Sequence, residues 1–274
     1  MRTEVEFSIV HLSDAHLFAD PTQEVYGTRP SLNLKAAVHC INAIRPRPSL
    51  CVYTGDAVSE ECETAYVRFK EQMQYLSIPV HYAVGNHDDR KSLRRYLLDE
   101  SMPTDDPYYY CFQQFGWRIV VLDTAEPGKI WGSIGEEQLE WLDQLLQKYE
   151  PTLVFMHHHA LAVGVSWMDE VMLKNPSPLL SILQRAGCVK AVLFGHVHFE
   201  CHIQHAGLHF MSVPALSFQL GEVNWAEKSV SLPPGFRLIA IKGDEVRSVV
   251  HRLTDHELAI SEKRITLSHK EIIE

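Results

Sequence analysis

The chain has 274 residues, of which 46% are apolar, 22% charged and 9% aromatic, a profile that excludes a disordered, collagenous or disulfide-stapled chain and leaves a globular protein with one domain as the default. Against 25 basic residues stand 35 acidic ones, a formal net charge of −10 with no long basic cluster, so a face that tracks extended nucleic acid is not expected. Apolar runs such as 152–156 fall far short of the roughly 20 residues needed to span a bilayer, and the first residues carry acids where a secretory signal carries bases, so we expect a cytoplasmic protein without membrane contact.

Short apolar runs of strand character alternate with amphipathic stretches of helical period. In chain order the expected strands are 7–12, 50–53, 80–84, 118–122, 152–156, 191–194, 208–213, 237–241 and 245–251, and the expected helices are 32–44, 60–76, 90–98, 135–149 and 178–184. Leu139, Leu142, Leu145 and Leu146 make one apolar stripe on the fourth helix. Helices between the early strands allow parallel crossovers, while the late run of strands points to a second, more antiparallel sheet. No repeat or flexible linker divides the chain, so 1–251 reads as one domain, and 252–274 as a charged tail that is either a terminal helix or a frayed end. The six cysteines contain no Cys-x-x-Cys and read as free thiols in a reducing compartment.

The chemistry lies directly after the strands. The first runs into Ser13-Asp14-Ala15-His16, the second into Thr54-Gly55-Asp56, and the third into Gly85-Asn86-His87-Asp88. The fifth ends in His157-His158-His159 and the sixth in Gly195-His196-Val197-His198. Ligands of open α/β sheets bind just outside the carboxyl ends of strands, so these five loops can converge. Residues two apart in an extended segment face one way, which lets Asp14 with His16, and His196 with His198, address a common centre. Oxygen and imidazole donors without thiolate suit Mn, Fe, Co or Zn. Taken singly, each motif has a plain reading as a loop cap, a turn or surface decoration. The five in order are the signal.

That ordered set resembles the calcineurin-like metallophosphoesterase superfamily, whose pattern is Asp-x-His, Gly-Asp, Gly-Asn-His-Glu/Asp, a later His and Gly-His-x-His. The resemblance implies a four-layer α/β/β/α sandwich of two mixed β-sheets flanked by helices, with a dinuclear metal site at the C-terminal ends of the strands. It implies one ion on Asp14, His16, Asp56 and His198, and a second on Asp56, Asn86, His157 and His196, with Asp56 shared. His87 would then protonate the leaving oxygen or steady transition-state charge, oriented by Asp88. His158 and His159 stay open between a supporting donor, a substrate contact and an exposed loop. His39, His81, His205, His251 and His269 read as surface or satisfied core residues.

Tyr26-Gly27 followed by Asn33, the stretch around Trp167, Asp169 and Asn175, and Pro234-Gly235-Phe236-Arg237 resemble the bacterial class III cyclic-nucleotide phosphodiesterases. This implies hydrolysis of 3′,5′-cyclic AMP to 5′-AMP through a hydroxide bridging two transition-metal ions (Fe, Mn, Zn or Co). Two departures stand out: Ala160 replaces a proline, and Ala215 to Glu222 differs from the usual segment after Pro214, which would alter the wall facing a nucleotide. Another small diester, such as a 2′,3′-cyclic nucleotide or a glycerophosphodiester, is therefore the alternative, and a non-catalytic scaffold on the same fold the distant one. A homodimer is left open.

Overall fold

In the strand Thr152–Met156 all five side chains are buried, and they divide between two environments. Leu153 and Phe155 face a layer shared with Phe7, Ile9, Val52, Ile119, Leu193 and Ile239. Val154 and Met156 face the opposite way, against Leu142, Leu146, Leu179 and Leu183. A strand covered on both faces reads as a continuous apolar run, which is why so many were visible in the sequence. Each large aliphatic or aromatic side chain so placed contributes about 1.5–3 kcal/mol relative to exposure.

The computed structural model describes residues 6–221 and 229–261. A five-stranded sheet has the order β13-β12-β1-β2-β3, formed by β1 (Glu6–Leu12), β2 (Leu50–Tyr53), β3 (Val80–Tyr82), β12 (Gly235–Lys242) and β13 (Glu245–Arg252). Its first three strands are parallel, and β12 and β13 run antiparallel. A six-stranded sheet has the order β4-β5-β6-β7-β9-β8, formed by β4 (Tyr110–Gln114), β5 (Trp117–Val121), β6 (Thr152–Met156), β7 (Val189–Phe194), β8 (His202–His205) and β9 (Leu208–Ser212). Its interior strands are parallel and both edges antiparallel. A two-stranded ribbon pairs β10 (Gln219–Leu220) with β11 (Ser229–Val230).

Helices α1 (Pro30–Ala43) and α2 (Glu63–Met73) cover the first sheet, with Leu34, Ile41, Tyr66 and Phe69 packed on Val10, Leu12, Cys51 and Tyr53. Helices α4 (Glu136–Leu146) and α6 (Pro176–Ala186) cover the second, with the short α5 (Ser166–Asp169) between them in the chain. The architecture is the expected four layers of two mixed sheets between helices. Among the described residues no helix is long and apolar enough to cross a membrane.

Two expectations are corrected, and one of the alternatives for the tail is seen. The late strands do not form a separate sheet: β8 and β9 extend the second sheet, while β12 and β13 complete the first. Strands β4 and β8 escaped the sequence reading because both are edges with mostly polar or half-exposed residues. The helix expected over 90–98 is only one α-turn, α3 (Arg90–Ser92), continued by a π-helical turn Leu93–Leu97. Beyond residue 251 the fold continues, because Leu253 is fully buried and a helix over 255–261 packs Leu258 on the α1/α2 layer. Glu222, His269 and the rest of the tail lie outside the described residues.

Candidate metal centre

The loops after β1, β2 and β3 come from the first sheet and those after β6 and β7 from the second, and they meet where the two sheets' strand ends face each other. Backbone bonds lock the first pair side by side: Asp14 N–H donates to Gly55 O at 3.0 Å and His16 N–H to Asp56 O at 3.1 Å. The second sheet is joined in when His196 N–H donates to the Asp14 carboxylate at 3.1 Å. Close approach demands missing side chains. A Cβ on Gly55 would stand 2.5 Å from Gly85 N, one on Gly85 would collide with the Asp56 carboxylate, and one on Gly195 with the Ser13 hydroxyl.

Asp14, His16, Asp56, His196 and His198 all have positive φ, between 46° and 67°. A non-glycine residue there costs roughly 1–3 kcal/mol, and such strain persists only where the surroundings over-determine it. Concentrated on five residues with metal-binding side chains, it marks a site built for geometry.

The side chains form overlapping groups whose donor atoms lie within 4.8 Å of one another: Asp14, His16 and His198; Asp14, Asp56 and His157; His157, His158 and His196; and His16, Asp56 and His87. Asp56 sits in the middle, its Oδ2 lying 3.5 Å from His16 Nε2 and 3.4 Å from His157 Nε2. Asp14 Oδ1 lies 3.4 Å from His198 Nε2, and Asn86 Oδ1 lies 3.1 Å from His157 Nε2.

Hydrogen bonds decide which ring nitrogens are available. His157 Nδ1–H donates to Thr54 O at 2.6 Å and His198 Nδ1–H to Phe218 O at 2.9 Å, because a carbonyl can only accept. That tautomer turns each Nε2 lone pair inward, the arrangement found behind metal-bound histidines. The Nε2 atoms of His16 and His198 approach to 3.1 Å, a contact in which both nitrogens cannot donate. His196 Nε2 is buried without a hydrogen-bond partner. Burial pushes His16 down to about 3 and His196 well below its ordinary value, so both rings are neutral and free to coordinate. Burial also works against charge on His157, yet Asp56 and then Asp14 outweigh it and push this ring up to about 9. Asp56 is held well below the usual carboxylate range despite its burial, chiefly by His157. A buried pocket with two carboxylates, the neutral rings of His16 and His196, and a His157 whose added proton occupies the place a cation would take beside Asp56 fits a bound cation.

Other residues differ from expectation. Asp88 makes none of its recorded bonds to the His87 ring; its oxygens accept from Asp56 N at 2.8 Å, Gly85 N at 2.9 Å and Ala57 N at 3.1 Å, so it braces the turn that carries Asp56. His87 itself is exposed, its backbone N–H donating to Asp56 Oδ1 at 2.8 Å and its ring 4.8 Å from that of His16. His158 lies within reach of His157 and His196, but its Nε2–H donates to Ile130 O at 3.0 Å and its Nδ1 pairs with the Thr124 hydroxyl at 2.8 Å. Both of its ring nitrogens are spent. His159 is buried beneath His196 with Nε2 3.7 Å from Asp169 Oδ1. The carbonyls of Thr54 and Phe218 were invisible to sequence reasoning, since backbone acceptors leave no residue signature.

Phe218 forms a wall, its ring 4.6 Å from His198, 5.8 Å from His16 and 4.8 Å from the exposed Tyr26. On the other side a cleft of about 360 Å³ opens beside Asn86, lined in part by Glu61, Asp89, Arg90, Asp105 and Glu126. Arg90 is committed to Asp123, with Nε 2.7 Å from Oδ2.

A sequence model of the calcineurin-like phosphoesterases matches residues 7–200. Among similar curated proteins, the 3′,5′-cyclic adenosine monophosphate phosphodiesterase CpdA of Escherichia coli K12 is 29% identical over 92% of each chain. A probable cyclic nucleotide phosphodiesterase of Synechococcus is 32% identical over 89% of this chain and 91% of its own length. A 3′,5′-cyclic-nucleotide phosphodiesterase of Nostoc is 27% identical over 98% of this chain and all of the relative. Among solved structures, a dimetal phosphatase from Danio rerio superposes with a TM-score of 0.64 at 18% identity, covering 90% of this chain and 99% of that one. Fold, motif order and family match agree, and the chain belongs to the calcineurin-like phosphoesterase family.

Proposed function

We propose that the protein hydrolyses a small cyclic phosphodiester, 3′,5′-cyclic AMP to 5′-AMP, at two transition-metal ions. Asp14, His16, Asp56 and His198 would hold one, and Asp56, Asn86, His157 and His196 the other. The observation that carries this reading is the placement of Asp56 Oδ2 between His16 and His157, at 3.5 and 3.4 Å, where one carboxylate serves both groups. When bound, the ions supply activated water and charge for the phosphoryl oxygens, and Fe, Mn, Zn and Co all suit this nitrogen and oxygen donor set.

The chain's own residues orient the reaction. Thr54 and Phe218 fix the rings of His157 and His198; Asp88 holds the Asp56 turn; Asn86 presents its amide to the phosphoryl group. His87, exposed at the rim and tethered through its backbone to Asp56, is placed to protonate the departing 3′ oxygen. The carboxylates of Glu61, Asp89, Asp105 and Glu126 beside Asn86 repel a doubly charged monoester more than a singly charged diester. The relatives named as cyclic-nucleotide phosphodiesterases, which match nearly end to end, support the nucleotide. The same reading takes the enzyme to be cytoplasmic, in keeping with six free cysteines.

The test is turnover of 3′,5′-cyclic AMP, 2′,3′-cyclic AMP, bis-p-nitrophenyl phosphate and p-nitrophenyl phosphate by purified protein in added Mn, with bound metal quantified in parallel. Preference for 3′,5′-cyclic AMP is expected. Turnover of generic diesters without it would leave the centre standing and overturn the substrate; a metal-free, inert protein would overturn both in favour of a scaffold.

A further inference from the structure

Cys40 on α1, His251 near the end of β13 and Glu257 in the helix over 255–261 converge outside the strand-end loops of the metal centre. Cys40 Sγ donates to Glu257 Oε1 at 3.1 Å, and His251 Nε2 meets the same oxygen at 3.2 Å. The sulfur, nitrogen and oxygen all lie within 4.8 Å of one another, and all three residues are half-buried. A tetrahedral zinc ion with one thiolate, one imidazole and one carboxylate separates these atoms by about 3.3–3.5 Å.

Two of the donors are also held by contacts outside the group. Glu257 Oε2 accepts from Thr254 N at 2.7 Å and from its hydroxyl at 2.8 Å, a capping arrangement that opens the helix and turns Oε1 toward Cys40. The His251 ring stacks on Phe236, with centroids 4.9 Å apart at 29°. Burial and then Glu257 push the Cys40 thiol up to about 12. Burial of Glu257 is outweighed by the Thr254 backbone N–H, which with Cys40 holds the carboxyl at about 2. A proton on sulfur therefore faces an ionised carboxylate, the place a divalent cation would take.

We infer that Cys40, His251 and Glu257 form a second, non-catalytic site for a divalent ion of the zinc class, with water in the fourth position. The ion displaces the Cys40 S–H proton to solvent, the His251 ring proton moves from Nε2 to Nδ1, and the ion bonds to the thiolate, His251 Nε2 and Glu257 Oε1, with no change of oxidation state. Thiolate selects zinc or cobalt over manganese here, while the centre between the sheets offers no sulfur. Bound metal ties α1, β13 and the last described helix together.

Cobalt separates the two sites, because only a thiolate ligand produces a near-ultraviolet sulfur-to-cobalt charge-transfer band. Full-length protein preloaded with Mn is titrated with Co. A band saturating at one equivalent is expected, absent in Cys40→Ser, about tenfold weaker in affinity in His251→Ala, and unchanged in Cys111→Ser. Cys40→Ser should keep its Mn-dependent turnover, which shows that it folds. No band, or a band that survives Cys40→Ser in folded protein, overturns the site.

Discussion

Asp88 lies directly behind Asp56, its Oδ2 accepting from the Asp56 N–H at 2.8 Å. The next acceptor, Oδ1, takes the Ala57 N–H at 3.1 Å, so one buried carboxylate satisfies two successive donors of the turn that presents Asp56, the residue proposed to serve both ions.

Asp88→Asn puts an amide N–H where one of those acceptors stood, against backbone donors that lose their partner. We expect more than half of the bound metal to be lost together with turnover. His87→Ala should keep its metal while turnover falls about 10²–10⁴-fold, the range of a lost proton donor. Elemental analysis beside turnover checks both, and a fully metallated Asp88→Asn would show that the brace is dispensable.

Gly195 is required for proximity. A Cβ there would strike the Ser13 hydroxyl and lie 2.8 Å from Asp14 Oδ2, so Gly195→Ala should displace Asp14 and depress metal content. Gly116→Ala is the control: its φ of +81° brings backbone strain with nothing within 4 Å of the added carbon. It should lower the unfolding free energy by about 1 kcal/mol and leave metal binding intact.

His11 predicts a pH dependence of stability. Burial, then the Arg237 charge, push this fully buried ring down to about 3 against the opposing pull of Asp14, from an ordinary value of about 6.5. The unfolded chain takes up this proton first, so the contribution is complete above pH 6.5 and is lost as pH falls toward 3. Between pH 7.5 and pH 5 the loss is about 2 kcal/mol. His11→Gln keeps a group able to pair with Thr54, whose hydroxyl lies 2.8 Å from His11 Nε2, and cannot titrate. Denaturant titrations at the two pH values should show a shallower acid decline in the variant by that amount, and parallel declines would reject the assignment.

Tyr26, 65% exposed and 4.8 Å from Phe218, offers a ring at the mouth of the site. Tyr26→Ala should raise KM for 3′,5′-cyclic AMP by up to about tenfold, the size of one aromatic contact, with little change in kcat. Methyl p-nitrophenyl phosphate supplies the comparison for general damage to the centre: a matching rise in its KM would mean that Tyr26 shapes the loop and does not meet the base.

The layers were legible because β1, β2, β6 and β7 are covered on both faces and print as apolar runs, β2 and the Leu153–Met156 part of β6 unbroken, β1 and β7 interrupted only at Ser8, His11 and Lys190. The loops that follow them carry polar residues that strand patterning cannot explain, so the convergence of Asp14, Asp56, Asn86, His157 and His196 could be anticipated from order alone. Edge strands β4 and β8 bury little and left no such trace. The bracing of the Asp56 turn by Asp88 leaves no mark in the sequence, because the neighbour of His87 turns its carboxylate toward backbone donors 31 and 32 positions away. The pairing of Cys40 with Glu257 spans 217 positions, a separation across which spacing carries no information.

The proposed metal centre would draw Asp14, His16, Asp56 and Asn86 from one sheet and His157, His196 and His198 from the other, so neither half of the sandwich contains a complete set. Metal affinity is therefore a seam across the molecule, and any ion held there adds its binding free energy to the docking of the two sheets. Chelation should loosen the sandwich along its middle, and catalytic competence arises only once both halves have assembled.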